Sequence, residues 1–338
     1  METGPLTEAV QSNKKAEWLD FLHTVGEVKQ PFLALLKELK KPAQKITHWG
    51  TEDLDDSGGF DGTLDGAPVT EYGHALRGNL SSVAQWIRKP WKVTHYADKT
   101  DAYGIKNERE YQKLKAQARL RNAIEQAFLS EQDAALESGE TPNRLRGVGS
   151  WLANSGHSSD FPIAADLVVP TTCLYTDALA DFNEDDLEGL LRAASILRDS
   201  AVTLDAFVGP ALKARMTDFA QHDPNATTTN IALRQFNQNG ADGEFLSTVD
   251  VFKFDSGIVR THLSYHLFRT RTAGARTATV SNNSGYFLDM SKWAVRFLDK
   301  INHSALANDG GGERGFYHAT PTLVCGVPKG QVMVRCGS

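Results

Sequence analysis

The chain has 338 residues and a mass of 37.1 kDa, enough for about two domains of ordinary size. Hydrophobic residues make up 41% and charged residues 23%, which excludes wholesale disorder, collagen and coiled coil. The net charge of −6 argues against a sequence-specific DNA-binding protein, and no apolar run is long enough for a transmembrane helix. Three cysteines without C-x-x-C spacing argue against a disulfide framework or a zinc ribbon.

The first 45 residues contain amphipathic stretches that are too short to form a domain. Pro31 suits a first helical turn, and apolar residues follow it at spacings of three and four up to Leu39. Pro42 then stops the pattern. The sequence therefore predicts an arm that carries one short helix.

Residues 49–76 are the most acidic part of the chain. Seven Asp and Glu residues and six glycines lie there without a single Lys or Arg. No apolar periodicity survives, which predicts a long loop or an extended ribbon within a two-stranded excursion from about residue 46 to about residue 94. The ligand order of a calcium loop is missing, so a solvated or partner-facing acidic surface is expected. Loops this long usually serve a function or a partner.

The clearest predicted helix covers residues 108–137. Asn107 is a typical N-cap residue, Glu108 and Glu110 suit the first turn, and no Gly or Pro interrupts the segment. A helix of this length is about 45 Å long. The apolar residues that recur at helical spacing along it are Tyr111, Leu114, Ala118, Leu120, Ile124, Ala127 and Phe128.

The second half of the chain changes from an α/β pattern to strands. Short apolar runs alternate with helical patterns over residues 146–239. A hairpin is predicted over residues 245–268, with its turn just before Gly257, and a helical turn over residues 292–298. We expect the helix 108–137 to lie against this hairpin, with Leu114, Ile124 and Phe128 buried.

No catalytic constellation stands out along the chain. His262 and His266 are four residues apart but have no Glu between them and lie in a predicted strand, so two ordinary histidines are more probable than a metal site. The run of three glycines ending at Gly312 lacks the Lys and Ser or Thr of a phosphate loop. Cys173 has no identifiable His partner and is expected to be a buried structural thiol. The sequence predicts no catalytic, cofactor-binding or metal-binding residue.

Six segments in a fixed order resemble the major capsid protein of tailed bacteriophages. They are QPFLALLKELKKPAQKITHWGTEDL, RGNLSSVAQWIRKPWKVTHYADKTDAYG, REYQKLKAQARLRNAIEQAFLS, AFVGPALKARMTDFA, STVDVFKFDSGIVRTHLSYHL and GYFLDMSKWAVRFL. In the family these segments belong to the arm, the returning strand of an extended loop, the spine helix, a strand-to-helix turn, a long hairpin and a strand-turn. The resemblance covers roughly residues 21–334.

The resemblance implies an α+β chain with the Hong Kong 97-like phage capsid fold. An N-terminal arm (1–45) and an extended loop (46–100) would precede a peripheral domain and an axial α/β domain. The peripheral domain would contain the long spine helix (101–144), the long hairpin (241–280) and the closing strands (311–338). The axial domain would contain residues 145–240 and a returning segment (281–310).

The resemblance also implies a structural role without enzyme activity or cofactors. The chain would assemble as hexamers and pentamers into an icosahedral virion shell around double-stranded DNA, after synthesis in the host bacterial cytoplasm. Its partners would be copies of itself, a portal, scaffolding or decoration proteins, and packaged DNA by non-specific proximity; no membrane would be involved. The alternatives are an encapsulin-like nanocompartment shell and a soluble α/β enzyme with an acidic substrate loop.

The acidic loop needs cations, and the loop itself contains none. We expect its acids to pair with basic residues that a neighbouring subunit presents on the spine helix and beside the hairpin; solvated acids that keep the loop extended are the alternative. Some relatives join a loop lysine covalently to a neighbour's asparagine, but residues 46–88 contain no lysine. The candidate contact residues are Asp53, Asp55, Asp56, Asp61, Asp65, Arg119, Arg121, Arg269, Arg271 and Arg276.

Overall fold

The computed structural model describes most of the chain, and the statements below concern that part alone. The described residues are 30–52, 65–66, 68, 77–100, 105, 107–219, 249–267, 283–308 and 310–337.

A six-stranded sheet organises the middle of the chain. Its order is β5-β12-β9-β6-β8-β7. The central strand β6 runs parallel to β8 and antiparallel to β9. The strands are β5 (Leu174–Tyr175), β6 (Val202–Val208), β7 (Val251–Phe254), β8 (Gly257–Leu263), β9 (Ser284–Leu288) and β12 (Val332–Arg335).

Two helices flank the strand β6 in sequence and pack on this sheet. In the order of the chain they are α5 (Glu184–Ile196) and α6 (Pro210–Asp218). Asn183 caps α5 in a reciprocal capping box with Asp186, and Pro210 occupies the first turn of α6. The α/β layout that the sequence predicts for this region is present here.

A second sheet has four strands in the order β1-β10-β11-β4. Its two long strands form an antiparallel pair, and one side of the sheet is covered by the helix α3 (Glu108–Phe128), which packs on β4 and β11. The strands are β1 (Lys37–Glu38), β4 (Ile87–Val93), β10 (Trp293–Leu306) and β11 (Glu313–Cys325).

The predicted two-stranded excursion is confirmed. Strand β2 (Ile46–Thr51) pairs antiparallel with β3 (Gly78–Val83) along its whole length. The acidic loop therefore leaves and returns at one end of a ribbon, and the returning chain continues directly into β4. Three short α-helices are also present: α1 (Pro31–Leu35), α2 (His95–Lys99) and α4 (Val148–Trp151). The remaining described elements are the 3-10 helices Ala165–Leu167, Thr171–Cys173 and Met290–Lys292.

One apolar core joins the two larger sheets. Phe32, from α1, is fully buried and packs edge-on against Phe128, Phe207 and Trp293, which come from α3, β6 and β10. A single side chain of the N-terminal segment therefore contacts three elements at the centre of the molecule. Edge-on aromatic pairs of this kind add about 0.5–1.5 kcal/mol each beyond the area that they bury.

Two local predictions are corrected by tertiary contacts. The helix from Pro31 ends at Leu35, because the chain then extends to pair with β10 and the Leu39 amide donates to the Val295 carbonyl. Residues 292–298 are mostly strand, since Trp293 pairs with Cys325 at the start of the long β10–β11 hairpin. Backbone pairing decides both segments where local pattern favoured a helix.

The long helix is also shorter than predicted, and it packs elsewhere. Helix α3 ends at Phe128 rather than at residue 137, because Ser130 bonds back to the Ala127 carbonyl and the following chain turns into a side-chain network around Asp133. Strands β7 and β8 do not receive the helix, because β8 pairs with β6 in the six-stranded sheet. Ile124 and Phe128 are buried as predicted, whereas Leu114 is 64% exposed.

Candidate assembly surfaces

Within the acidic loop, the structure describes only Glu52 at its start and residues 65, 66 and 68. Asp65 is exposed, and Glu52 pairs with Arg77 at 3.0 Å where the two strands of the ribbon open. Asp53, Asp55, Asp56 and Asp61 lie outside the described residues.

Of the predicted basic contact residues, the structure likewise describes only some. Arg119 and Arg121 lie on α3, and both are exposed. Among the described residues neither of them has an ion-pair partner, so both are available to a neighbouring molecule. Arg269, Arg271 and Arg276 lie outside the described residues.

The face of the four-stranded sheet that points away from α3 carries an aromatic and basic surface that the sequence analysis missed. Trp86 is 55% exposed, and the Arg88 guanidinium lies over its ring, 5.2 Å from the ring centroid. The rings of Phe316 and His318 both lie 6.4 Å from that of Trp86. We call Trp86, Arg88, Lys92, Phe316 and His318 the sheet-face cluster.

The cluster is basic because successive side chains of a strand point to opposite faces of the sheet, and the basic side chains of β4 at 88 and 92 point to this one. In β4 the side chains of Arg88, Pro90 and Lys92 are exposed while Trp91 and Val93 are buried. On β11 His318 pairs with Asp299, the acidic residue at the margin of this face, at 2.8 Å. The alternation of residues 86–92 is visible in the sequence and is the signal that locates this surface.

The opposite face of the same sheet is occupied by α3. Trp91 donates its indole N–H to His303 at 3.1 Å, and the Lys113 ammonium lies 5.4 Å from the Trp91 ring centroid. Burial and the nearby Lys113 lower the pKa of His303, which disfavours the charged imidazolium. This face is therefore committed to packing, and the sheet-face cluster is the side that remains open to a partner.

The N-terminal segment is fastened to α3 by a buried carboxylate. Both oxygens of Glu125 accept backbone N–H groups, from Phe32 at 2.9 Å and from Leu33 at 2.8 Å. Two residues before Phe32, the Gln30 side chain donates to the Asn122 amide oxygen at 2.7 Å. The first described residues, 30–33, are therefore held against the C-terminal half of α3.

A buried ion pair fixes the chain after α3. Arg146 is fully buried, donates to Asp133 at 2.6 Å and to the Phe161 carbonyl at 2.5 Å, and lies over the Trp151 ring. Burial raises the pKa of Asp133, but Arg146 and the hydrogen bonds from Ser150 and Ser158 outweigh it, so the pKa lies below its usual range. The ion pair therefore stabilises the fold and is not a reactive site.

The residues considered for chemistry have structural partners. His262 pairs with Asp205 at 2.9 Å and stacks on Phe207. Burial raises the pKa of the Cys173 thiol, which disfavours the thiolate that a nucleophile requires. Within the described ranges there is no cluster of three or more potential metal ligands, and no helix there is long and apolar enough to cross a membrane.

Comparison with known proteins identifies the architecture. A family model described as SU10 major capsid protein matches residues 6–335. A structure from Mycobacterium phage Bobi is similar, with a TM-score of 0.62 and 13% identity over 99% of this chain and 100% of that one. The capsid of a native GTA particle and a capsid asymmetric unit of cyanophage Pam1 have TM-scores of 0.60 and 0.59, 10% and 12% identity, and full coverage of both chains. No curated protein matches. The expected fold is confirmed.

Proposed function

The chain belongs to the SU10 major capsid protein family, so it is a structural shell subunit, and we propose that its copies assemble as hexamers and pentamers into an icosahedral shell around double-stranded DNA. The observation that carries this proposal is a family match over almost the entire chain, from residue 6 to residue 335. It favours the capsid over a nanocompartment shell and over a soluble enzyme.

The remaining partners follow from what such a shell needs. A portal would replace one pentamer, and scaffolding or decoration proteins would act during or after assembly in the host cytoplasm. The net charge of −6 suits a wall beside packaged DNA, because a lining without strong phosphate contacts lets the DNA move.

Electron microscopy of the purified chain tests the proposal directly. We expect closed shells, tubes, or rings of five and six subunits. A chain that elutes from gel filtration as a monomer or dimer under all conditions, with no particles in the micrographs, would contradict it. Shells that enclose a protein cargo and no DNA would favour the nanocompartment.

We further propose that the acidic loop of one subunit is held by basic residues of the next. The loop supplies Asp53, Asp55, Asp56, Asp61 and Asp65 and contains no cation of its own. The receiving cations would be Arg119 and Arg121 together with Arg269, Arg271 and Arg276. The sheet-face cluster offers a second receiving surface, because Arg88 and Lys92 are exposed there and make no ion pair among the described residues.

The energy of this contact depends on repetition. A single exposed ion pair contributes only about 0–1 kcal/mol. Several pairs in a network add to a few kcal/mol at each interface, and a closed shell repeats the interface in every subunit. At about 1 M salt the Debye length is about 3 Å, so shells held in this way loosen at high salt.

Charge reversal separates the two receiving surfaces. We expect Arg269→Glu with Arg271→Glu to block assembly while the subunit stays folded, and reversal of the loop acids to Lys to restore assembly in part. Arg88→Glu with Lys92→Glu tests the sheet-face cluster in the same assay. Arg192→Glu, at an exposed pair on α5, is the matched control for added negative charge. Arg119→Glu with Arg121→Glu tests the cations on α3, and normal shells from all three double variants at low salt would show that the loop acids are merely solvated.

A further inference from the structure

Glu125 is an acidic side chain in an unusual position. It is fully buried in the last turn of α3, and both oxygens of its carboxylate accept backbone N–H groups, those of Phe32 and Leu33. Pro31 has no N–H, so these are the first two donors that α1 possesses. The carboxylate therefore takes the place of a capping side chain that α1 itself lacks.

The charged groups on the surrounding elements are either exposed or bonded to groups other than Glu125. Arg121, one turn before Glu125 on α3, is exposed. On the strands behind Phe32, Asp205 pairs with His262, Lys292 is exposed, and Arg296 donates to the Lys40 carbonyl. Helix α1 has no titratable side chain. Removing a carboxylate from water without a paired cation disfavours its charged form.

We propose that Glu125 makes the docking of the N-terminal segment on α3 proton-linked, so that the segment is held tightly when Glu125 is protonated and loosens when Glu125 ionises. The segment concerned is residues 30–36, which contain α1. The proposal concerns contacts within one subunit and does not depend on which neighbour the arm meets.

The direction follows from linkage. Burial raises the pKa of Glu125 to about 7, and the hydrogen bonds from Phe32 and Leu33 lower it only in part. When the segment undocks, water reaches the carboxylate and the pKa returns toward the ordinary value of 4.5. The docked state therefore binds the proton more tightly. Its advantage is complete below the undocked pKa and is lost as the pH rises through about 7.

Hydrogen exchange of the Phe32 and Leu33 amides in the full-length chain measures this docking. After correction for intrinsic exchange, we expect protection of both amides to fall by roughly thirtyfold between about pH 5.5 and about pH 8. Protection of amides in α5, which lies away from this contact, is expected to stay level and to separate local opening from global unfolding.

Variants identify the titrating group. Glu125→Gln is expected to make the protection independent of pH, whereas Glu110→Gln, on the exposed first turn of the same helix, leaves the pH dependence unchanged. If Glu125→Gln fails to fold, Gln30→Ala with Asn122→Ala weakens docking without touching the acid, and we expect lower protection with the same pH slope. Level protection in the native chain, or an unchanged slope in Glu125→Gln, would overturn the proposal.

Discussion

At the scale of single residues, Arg146 and Asp133 decide how the chain leaves α3. Arg146 is fully buried and has Asp133 as its counter-charge, while the same carboxylate also receives the Ser150 hydroxyl and the Ser158 amide. Breaking a buried pair from one side leaves the other charge without compensation. No sequence pattern indicates this pair, because its partners are thirteen residues apart in an irregular segment.

Asp133→Asn is expected to lower the free energy of unfolding by about 3 kcal/mol, since the Arg146 guanidinium then stays buried and unpaired. Glu188→Gln, which removes the exposed pair with Arg192 on α5, is the control and is expected to cost at most about 0.5 kcal/mol. Urea denaturation of both variants measures the difference. Because the pKa of Asp133 is depressed in the folded state, the native chain also loses this contribution as the pH falls below the ordinary Asp value of 3.8. An equal loss of unfolding free energy in the two variants would show that the buried pair does not stabilise the chain after α3.

Two glycines make a matched test of backbone packing. A Cβ at Gly147 would lie 2.1 Å from the Ser130 carbonyl oxygen, so Gly147→Ala forces the chain after α3 away from α4 and is expected to cost about 1–3 kcal/mol. A Cβ at Gly189, in the exposed middle of α5, would meet nothing within 4 Å, and Gly189→Ala is expected to stabilise by about 0.5–1 kcal/mol. Thermal unfolding of the two variants should shift in opposite directions. A similar melting temperature for both would refute the close approach at Gly147.

At the scale of elements, α3 shows what a helical pattern specifies and what it leaves open. The N-cap Asn107 and the buried stripe through Leu120, Ile124 and Phe128 follow directly from spacing and residue type. The end of the helix does not follow from the pattern, because it is set by Ser130 and by the side-chain network around Asp133. Leu114 precedes Leu120 by six residues, about 120° around the helix, so its side chain lies off the buried face and is exposed.

Substitutions at these two positions test the packing of α3. Ile124→Asp places an unpaired carboxylate in the core, which costs several kcal/mol, and we expect no soluble expression. Leu114→Asp changes an exposed side chain, and we expect a folded subunit with an unfolding free energy within about 0.5 kcal/mol of the native chain. Soluble, cooperatively unfolding Ile124→Asp protein would contradict this placement of the helix.

The same limit explains the elements that were predicted wrongly. Pattern alone favoured helix after Leu35 and around residues 292–298. The first segment instead pairs with β10, the second pairs with β11, and both gain backbone hydrogen bonds in the sheet. Sheet partners distant in sequence cannot be inferred from one segment. The β2–β3 ribbon was predictable because its strands flank a single loop with a strong compositional break.

At the scale of the whole molecule, the order of six segments indicated the family and the fold, while the sheet-face cluster was found only in the structure. The acids of the loop and Arg119 and Arg121 were identifiable from charge alone, and both arginines are exposed. The sheet-face cluster was missed because its members come from β4 and β11, which are far apart in the chain. The division into peripheral and axial domains stays a prediction.

The last prediction concerns how mature shells resist rupture. Relatives that cross-link covalently use a loop lysine as the nucleophile, and residues 46–88 contain no lysine. Arginine does not replace it, because the guanidinium stays protonated and is a poor nucleophile at any physiological pH. We therefore expect boiled mature particles to run on a denaturing gel as a single band near 37.1 kDa. Their stability must then come from non-covalent contacts, so the same particles should lose subunits in high salt if the loop acids form the proposed network. A ladder of covalent multimers that maps to the loop would refute the prediction.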